Sequence, residues 1–176
     1  EASVTATQNL VMAAVLAEGR TTLYNAACEP HVQDLCRMLV AMGASIQGIG
    51  TNRLVIEGVE RLAGTEARVG PDAIEAASFL AAAAATHGRL TVTGTDAEEF
   101  EVIARPFARL GVRWTRDAAG ALHLPAVQEL RIVNDADNAV PKIEDGTWPS
   151  VPSDVMSVLI VLATRAQGVV LFFEKM

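Results

Sequence analysis

The sequence predicts an α/β (α+β) protein built by repeating one unit, with helices inside and sheets outside. Three observations predict it. The order helix, Gly, strand, helix, Gly, strand pair occurs twice and begins a third time, and such a repeat decides an architecture. The first helix of each unit is apolar nearly all round, as in AIEAASFLAAAAAT and VMSVLIVLAT, so it must be enclosed by protein. Strands such as RLVIEGV and RLTVTGT alternate apolar and polar residues, the pattern of a sheet with one face in water.

In the first unit the spacing predicts a helix from Ser3 to Glu18, then Gly19 and the strand RTTLYNA. An amphipathic helix from Glu29 to Met42 follows, with Val32, Leu35, Cys36, Leu39 and Val40 on one face and Gln33 and Arg37 opposite. Gly43 and the strand pair SIQGIG and RLVIEGV close the unit. The second unit runs from a helix at Asp72 to His87 through Gly88, the strand RLTVTGT, a helix from Asp96 to Leu110, Gly111, and the pair VRWTRD and ALHLPA. The third begins with a helix from Asp154 to Gln167, then Gly168 and VVLFF. Each Gly follows the last periodic residue of a helix, where a left-handed cap suits Gly. An ordinary α+β sandwich made by duplication would show the same repeat. What sets this one apart is that the apolar helices recur at one place in the unit and start in small-polar or acidic clusters, SVTAT, GPDAIE and VPSDVM. Helix starts present free N–H groups and partial positive charge, so several converging starts would form an anion site.

A chain of 176 residues, 51% of them apolar, can bury a core. The pattern expects further sequence on both sides, because Glu1 opens straight into a helix and EKM closes inside an apolar strand. No charged-then-apolar leader precedes Glu1 and the apolar runs are shorter than a membrane span, so the expected location is cytoplasmic, with no membrane partner. The net charge of −7 argues against nucleic acid. Twelve of the fourteen basic residues are Arg, a composition that permits bidentate contacts to small anions. Cys28 and Cys36, eight positions apart on one expected helix, form neither a CxxC pair nor a disulfide framework and read as buried hydrophobes. His31, His87 and His123 share no metal-ligand spacing, His87 reading as a partner of a helix C-terminus, and NDADN lacks the Gly and closing Glu of a calcium loop. No metal is expected.

Four strings carry a resemblance: SVTATQNLVMAAVLAEG, YNAACEPHVQDLCRMLVAMGASI, RVGPDAIEAASFLAAAAATHG and IEDGTWPSVPSDVMSVLIVLATRAQG. Together they resemble the UDP-N-acetylglucosamine enolpyruvyl transferases over nearly the whole chain, most weakly between Arg113 and Lys142. The resemblance implies an inside-out α/β barrel of repeated βαβαββ units, truncated, with two domains and an active site between them. Residues 1–66 would be the last unit of the first domain, and residues 67–176 the first one and a half units of the second. It implies transfer of enolpyruvate from phosphoenolpyruvate to the 3-hydroxyl of UDP-N-acetylglucosamine, with no cofactor. The family's reactive lid cysteine, its phosphoenolpyruvate-binding Lys-Asn pair and its FENR stretch would lie outside this chain, so the chain alone would be inactive. Unpaired apolar helix faces would then favour self-association. Two other readings are the 3-phosphoshikimate 1-carboxyvinyltransferase, whose substrate has no nucleotide, and a non-catalytic sugar-nucleotide-binding paralogue.

By the same resemblance Asp154 would accept the proton of the attacking sugar hydroxyl, which is a poor nucleophile until that proton has somewhere to go. Read locally, Ser153 caps the helix and Asp154 complements its dipole. Ser3 and Val4 match a turn that holds the UDP diphosphate on a hydroxyl and backbone N–H groups, with Ala2 and Glu1 beside them. Locally Ser3 is an N-cap, which is compatible. Several relatives carry a basic residue there, so an acidic Glu1 is a departure. Met176 falls where the family packs a residue near the sugar nucleotide, and reads equally as an ordinary strand residue. Glu29 and the Asp72/Glu75 pair read as helix-start residues where the family clusters acids. Ala73 replaces the Arg of the family's PDRIE. Trp148 reads as the anchor of a long loop.

Overall fold

The computed structural model of the protein describes residues 2–175, with the side chains of residues 98 and 99 outside the description. The chain divides into two compact units, Glu1–Gly70 and Pro71–Met176.

The first unit holds α1 (Val4–Ala14), β1 (Arg20–Tyr24), α2 (Pro30–Ala41), β2 (Ser45–Gln47) and β3 (Arg53–Glu57). The strands form one antiparallel sheet in the order β1-β3-β2, with Thr22 opposite Val55 and Ile46 opposite Ile56. Leu54 and Ile56, two residues apart on β3, face the helices and bury against Val11, Ala14, Val15, Cys36 and Leu39. The period of two in RLVIE thus places one face of the sheet on the helices.

Helix α1 stops at Ala14, short of the expected Glu18. The residues that follow are needed elsewhere: Val59 N–H donates to the Val15 carbonyl and Gly58 N–H to the Gly19 carbonyl, both at 2.9 Å. Gly58 lies so close to this turn that a Cβ there would sit 1.6 Å from the Ala17 carbonyl oxygen. Docking of the chain after β3 therefore wins over the last helical turn.

The second unit repeats the plan with α3 (Ala73–Ala85), β4 (Leu90–Val92), α4 (Ala97–Arg109), β5 (Thr115–Arg116) and β6 (Leu122–Leu124), the sheet again antiparallel and ordered β4-β6-β5. After a single 3-10 turn, Ala136–Asn138, come β7 (Lys142–Glu144), α5 (Ser153–Ala163) and β8 (Leu171–Phe173). The last strand pairs in parallel with β7, a strand not expected from the sequence, so that β7-α5-β8 is a βαβ unit. Helices α3 and α5 pack together, and Leu80, Phe100, Phe107, Leu122, Leu124 and Leu159 are among the fully buried residues of this core.

Two expectations need correction. The apolar helices are enclosed on one face and bare on the other: Leu10 of α1, Phe79 of α3 and Val161 of α5 are 52%, 59% and 65% exposed. Nor does every helix-ending Gly adopt the left-handed conformation, because at the end of α3 it is His87 that takes a φ of +56°. At Gly111 (φ +83°) the need for Gly is doubled, since a Cβ would lie 2.6 Å from the Glu129 carbonyl oxygen.

Candidate functional site

Asp154 is the second residue of α5, whose N-cap is Pro152 and not Ser153 as read from the sequence; Pro152 offers no side-chain cap. Val155 N–H donates to the Pro152 carbonyl at 3.0 Å, and no N-cap side chain takes up the N–H groups of Ser153 and Asp154 at the start of α5. The Asp154 side chain is exposed and makes no ion pair or side-chain hydrogen bond with described residues. It is a carboxylate at the positive end of a helix with its oxygens open to a ligand.

The approach to α5 is fixed by a residue the sequence reading passed over. Asp145 is 1% exposed, and its Oδ1 accepts a 2.6 Å hydrogen bond from the Lys175 N–H beyond β8. It also forms a parallel bridge with Val151, and Gly146 N–H donates to the Val151 carbonyl at 3.1 Å. The loop between them contains a cis Trp148–Pro149 peptide bond and a 2.9 Å turn bond from Ser150 N–H to the Thr147 carbonyl. Trp148 is half-buried in this loop, consistent with an anchor. A buried acid in an otherwise polar string gave no pattern by which sequence could tell it from Asp154.

Beside it, Glu144 pairs with Lys142 at 2.5 Å and Lys175 at 2.7 Å. Those hydrogen bonds, Lys142 first and then Lys175, hold its carboxyl below the usual carboxylate range.

In the first unit, Ser3 is the N-cap of α1, its Oγ accepting from Ala6 N–H at 3.3 Å. The turn is tied down from below. Ala2 is buried with Ala27 and Val32, and Val4 packs on them. Thr7, 4% exposed, donates through its hydroxyl to the Ser3 carbonyl at 2.7 Å and accepts from Ala27 N–H at 2.9 Å. The structure thus brings Ala2, Ser3 and Val4 together at one helix start, in a different unit from Asp154. Glu1 and Met176 lie outside the described residues.

Asp72 caps α3, its Oδ1 accepting from Ile74 and Glu75 N–H at 2.9 and 3.0 Å. Ala73, the first residue of that helix, is buried. Glu29 stands at the N-cap of α2 without a side-chain capping bond. Cys28 precedes α2 and is only half-buried, whereas Cys36 is buried within the helix. Burial pushes both thiols up, with Glu29 adding to the effect at Cys28. Among the described residues no three His, Cys, Asp or Glu side chains cluster as a metal site would require, and no helix is long and apolar enough to cross a membrane.

Comparison with known proteins places these residues in a lineage. Along all 176 residues the chain is 49% identical to the UDP-N-acetylglucosamine 1-carboxyvinyltransferase of Borreliella burgdorferi, and 47% identical to the enzymes of that name from Treponema denticola and Bacteroides thetaiotaomicron. It spans 41%, 41% and 40% of their lengths. The crystal structure of the enolpyruvyl transferase NikO from Streptomyces tendae matches 97% of this chain with 39% of its own, at a TM-score of 0.78 and 23% identity, a likeness of fold. The family model described as EPSP synthase (3-phosphoshikimate 1-carboxyvinyltransferase) matches residues 1–175. The match of that family model along residues 1–175 establishes that the chain belongs to the EPSP synthase family of carboxyvinyl transferases.

Proposed function

We propose that this chain is part of an enzyme that transfers enolpyruvate from phosphoenolpyruvate to the 3-hydroxyl of UDP-N-acetylglucosamine, with loss of phosphate, in the cytoplasmic synthesis of peptidoglycan precursors. The observation that carries the reading is identity of 44–49% along the whole chain to relatives named for that sugar nucleotide. In this reading residues 1–66 complete one domain of an inside-out barrel, and residues 67–176 open the other. Addition of a hydroxyl to the enol phosphate and loss of its phosphate to leave an enol ether require proton transfers and charge stabilisation but no redox partner.

Asp154 accepts the proton of the attacking hydroxyl. Its freedom from internal partners suits that role, because an ion-paired carboxylate would have to give up its partner first. Ser3, Val4 and Ala2, with Glu1 adjoining, hold the diphosphate. The Ser3 hydroxyl already accepts from Ala6 N–H and can still donate its proton to a phosphate oxygen, while the first N–H groups of α1 point out of the helix. Met176 packs near the sugar nucleotide. The groups that hold phosphoenolpyruvate belong to the remaining length of the relatives, so the 176-residue chain by itself does not turn over.

The test is calorimetric titration of UDP-N-acetylglucosamine into the whole protein, wild type and Asp154→Asn, with phosphate release assayed alongside. Binding retained within a few-fold and turnover reduced by about 10²–10⁴ is expected of a lost proton acceptor. Unchanged turnover in the variant overturns the role of Asp154.

A further inference from the structure

The outward face of the β4-β6-β5 sheet carries chemistry that the proposed reaction leaves unused. Thr91, His123 and Thr115 sit side by side across the three strands, since Thr91 and Thr115 are both register partners of His123. His123 is oriented from both ends of its ring. Its Nε2 lies 2.9 Å from Asp117 Oδ2 and its Nδ1 3.1 Å from the Thr91 hydroxyl. Asp117 is itself fixed by N–H bonds from Ala119 and Ala121, both 2.9 Å to its Oδ1. The Thr115 hydroxyl has no partner among the described residues.

Where β4 begins, β6 ends and β5 begins, these residues meet a hollow of about 410 Å³, which Arg89 and Arg113 also line. Neither guanidinium has an ion pair or side-chain hydrogen bond among the described residues. Arg113 is tethered only through its backbone, whose N–H and carbonyl bond the Gln128 side chain at 2.9 and 3.0 Å. Two Arg without side-chain partners among the described residues thus stand in a hollow whose lining residues include no acid, and the one acid bonded to a lining side chain, Asp117, is committed to His123. Most of the remaining wall is apolar, with Pro125 and the Trp114 ring prominent. That ring is held by edge contacts to Phe100 and Phe107, with centroids 5.6 and 5.4 Å away.

We propose that this hollow is a binding site for a small organic anion, a carboxylate or phosphate ester on an apolar body. The size suits a small ligand. Trp114 and Pro125 take the body, whereas Arg89 and Arg113 take the anion, for which planar guanidinium groups are the matched donors. Thr115 adds a neutral hydrogen bond. Neither Asp154 nor Ser3 lines the hollow.

Calorimetric titration of phenyl phosphate and of benzoate into the whole protein, with UDP-N-acetylglucosamine present to occupy the proposed catalytic site, tests it. Saturable binding of at least one probe is expected, weakened about tenfold or more in Arg89→Gln/Arg113→Gln, a doubly substituted variant that keeps wild-type turnover and melting temperature. The stronger probe identifies the anion. Inorganic phosphate and phenol, each lacking one half of the ligand, should bind more weakly. No saturable binding up to about 10 mM, equal affinity in the variant, or phenol binding as well as phenyl phosphate overturns the proposal.

Discussion

Thr7 joins two elements through one hydroxyl, donating to the Ser3 carbonyl and accepting from Ala27 N–H. Thr7→Val keeps the shape and removes both bonds, leaving the buried Ala27 N–H unpaired at a cost of about 1–3 kcal/mol. Chemical denaturation should show that loss, and titration of UDP-N-acetylglucosamine should weaken with it if the turn holds the diphosphate. Asp72→Ala, which removes only the cap of α3, should cost about 1 kcal/mol by the same denaturation. Caps of this kind were legible in the sequence at Ser3 and Asp72, because they depend on residues within one turn. The reading failed at Ser153, where Pro152 fixes an extended backbone one residue earlier and takes the N-cap. It also failed at Asp145, whose importance comes from Lys175, thirty residues away.

At the level of elements, the strand missed was β7. Lys142–Glu144 is three residues long with one apolar side chain, too short for a period-two signal, and its partner β8 lies beyond α5. Glu144 at its end has a lowered carboxyl pKa in the folded protein, so the unfolded chain binds its proton more readily. Its contribution is present at pH above the ordinary carboxylate value and disappears as pH falls through the lowered folded value. Thermal unfolding followed from about pH 7 to about pH 3 should therefore show wild type losing more stability than Glu144→Gln, the two curves converging in acid. Parallel curves at every pH would show that the lysine pairs contribute nothing. The helices were easier to read because their periodicity spans three turns, although the end of α1 was set by the docking of Gly58 and Val59.

For the whole molecule, the repeat in the sequence reappears as the shared strand order of β1-β3-β2 and β4-β6-β5. Two separate cores follow, and Leu159→Ala, at a fully buried site, should destabilise the second unit by about 2–5 kcal/mol, read from amide protection in that unit. Bare apolar residues on α1 and α5 lead us to expect that the 176-residue chain alone self-associates. Sedimentation as a monomer at about 100 μM would contradict that expectation. How far the helices are covered was not legible, since a helix apolar all round states that it needs partners without stating where they come from. The substrate is the central claim, and the most direct measurement is mass spectrometry of the whole protein incubated with phosphoenolpyruvate and either UDP-N-acetylglucosamine or shikimate 3-phosphate. The account predicts an enolpyruvyl ether of the sugar nucleotide with release of one phosphate per product and no reaction with the shikimate ester; product from shikimate 3-phosphate alone, or from neither acceptor, would contradict it.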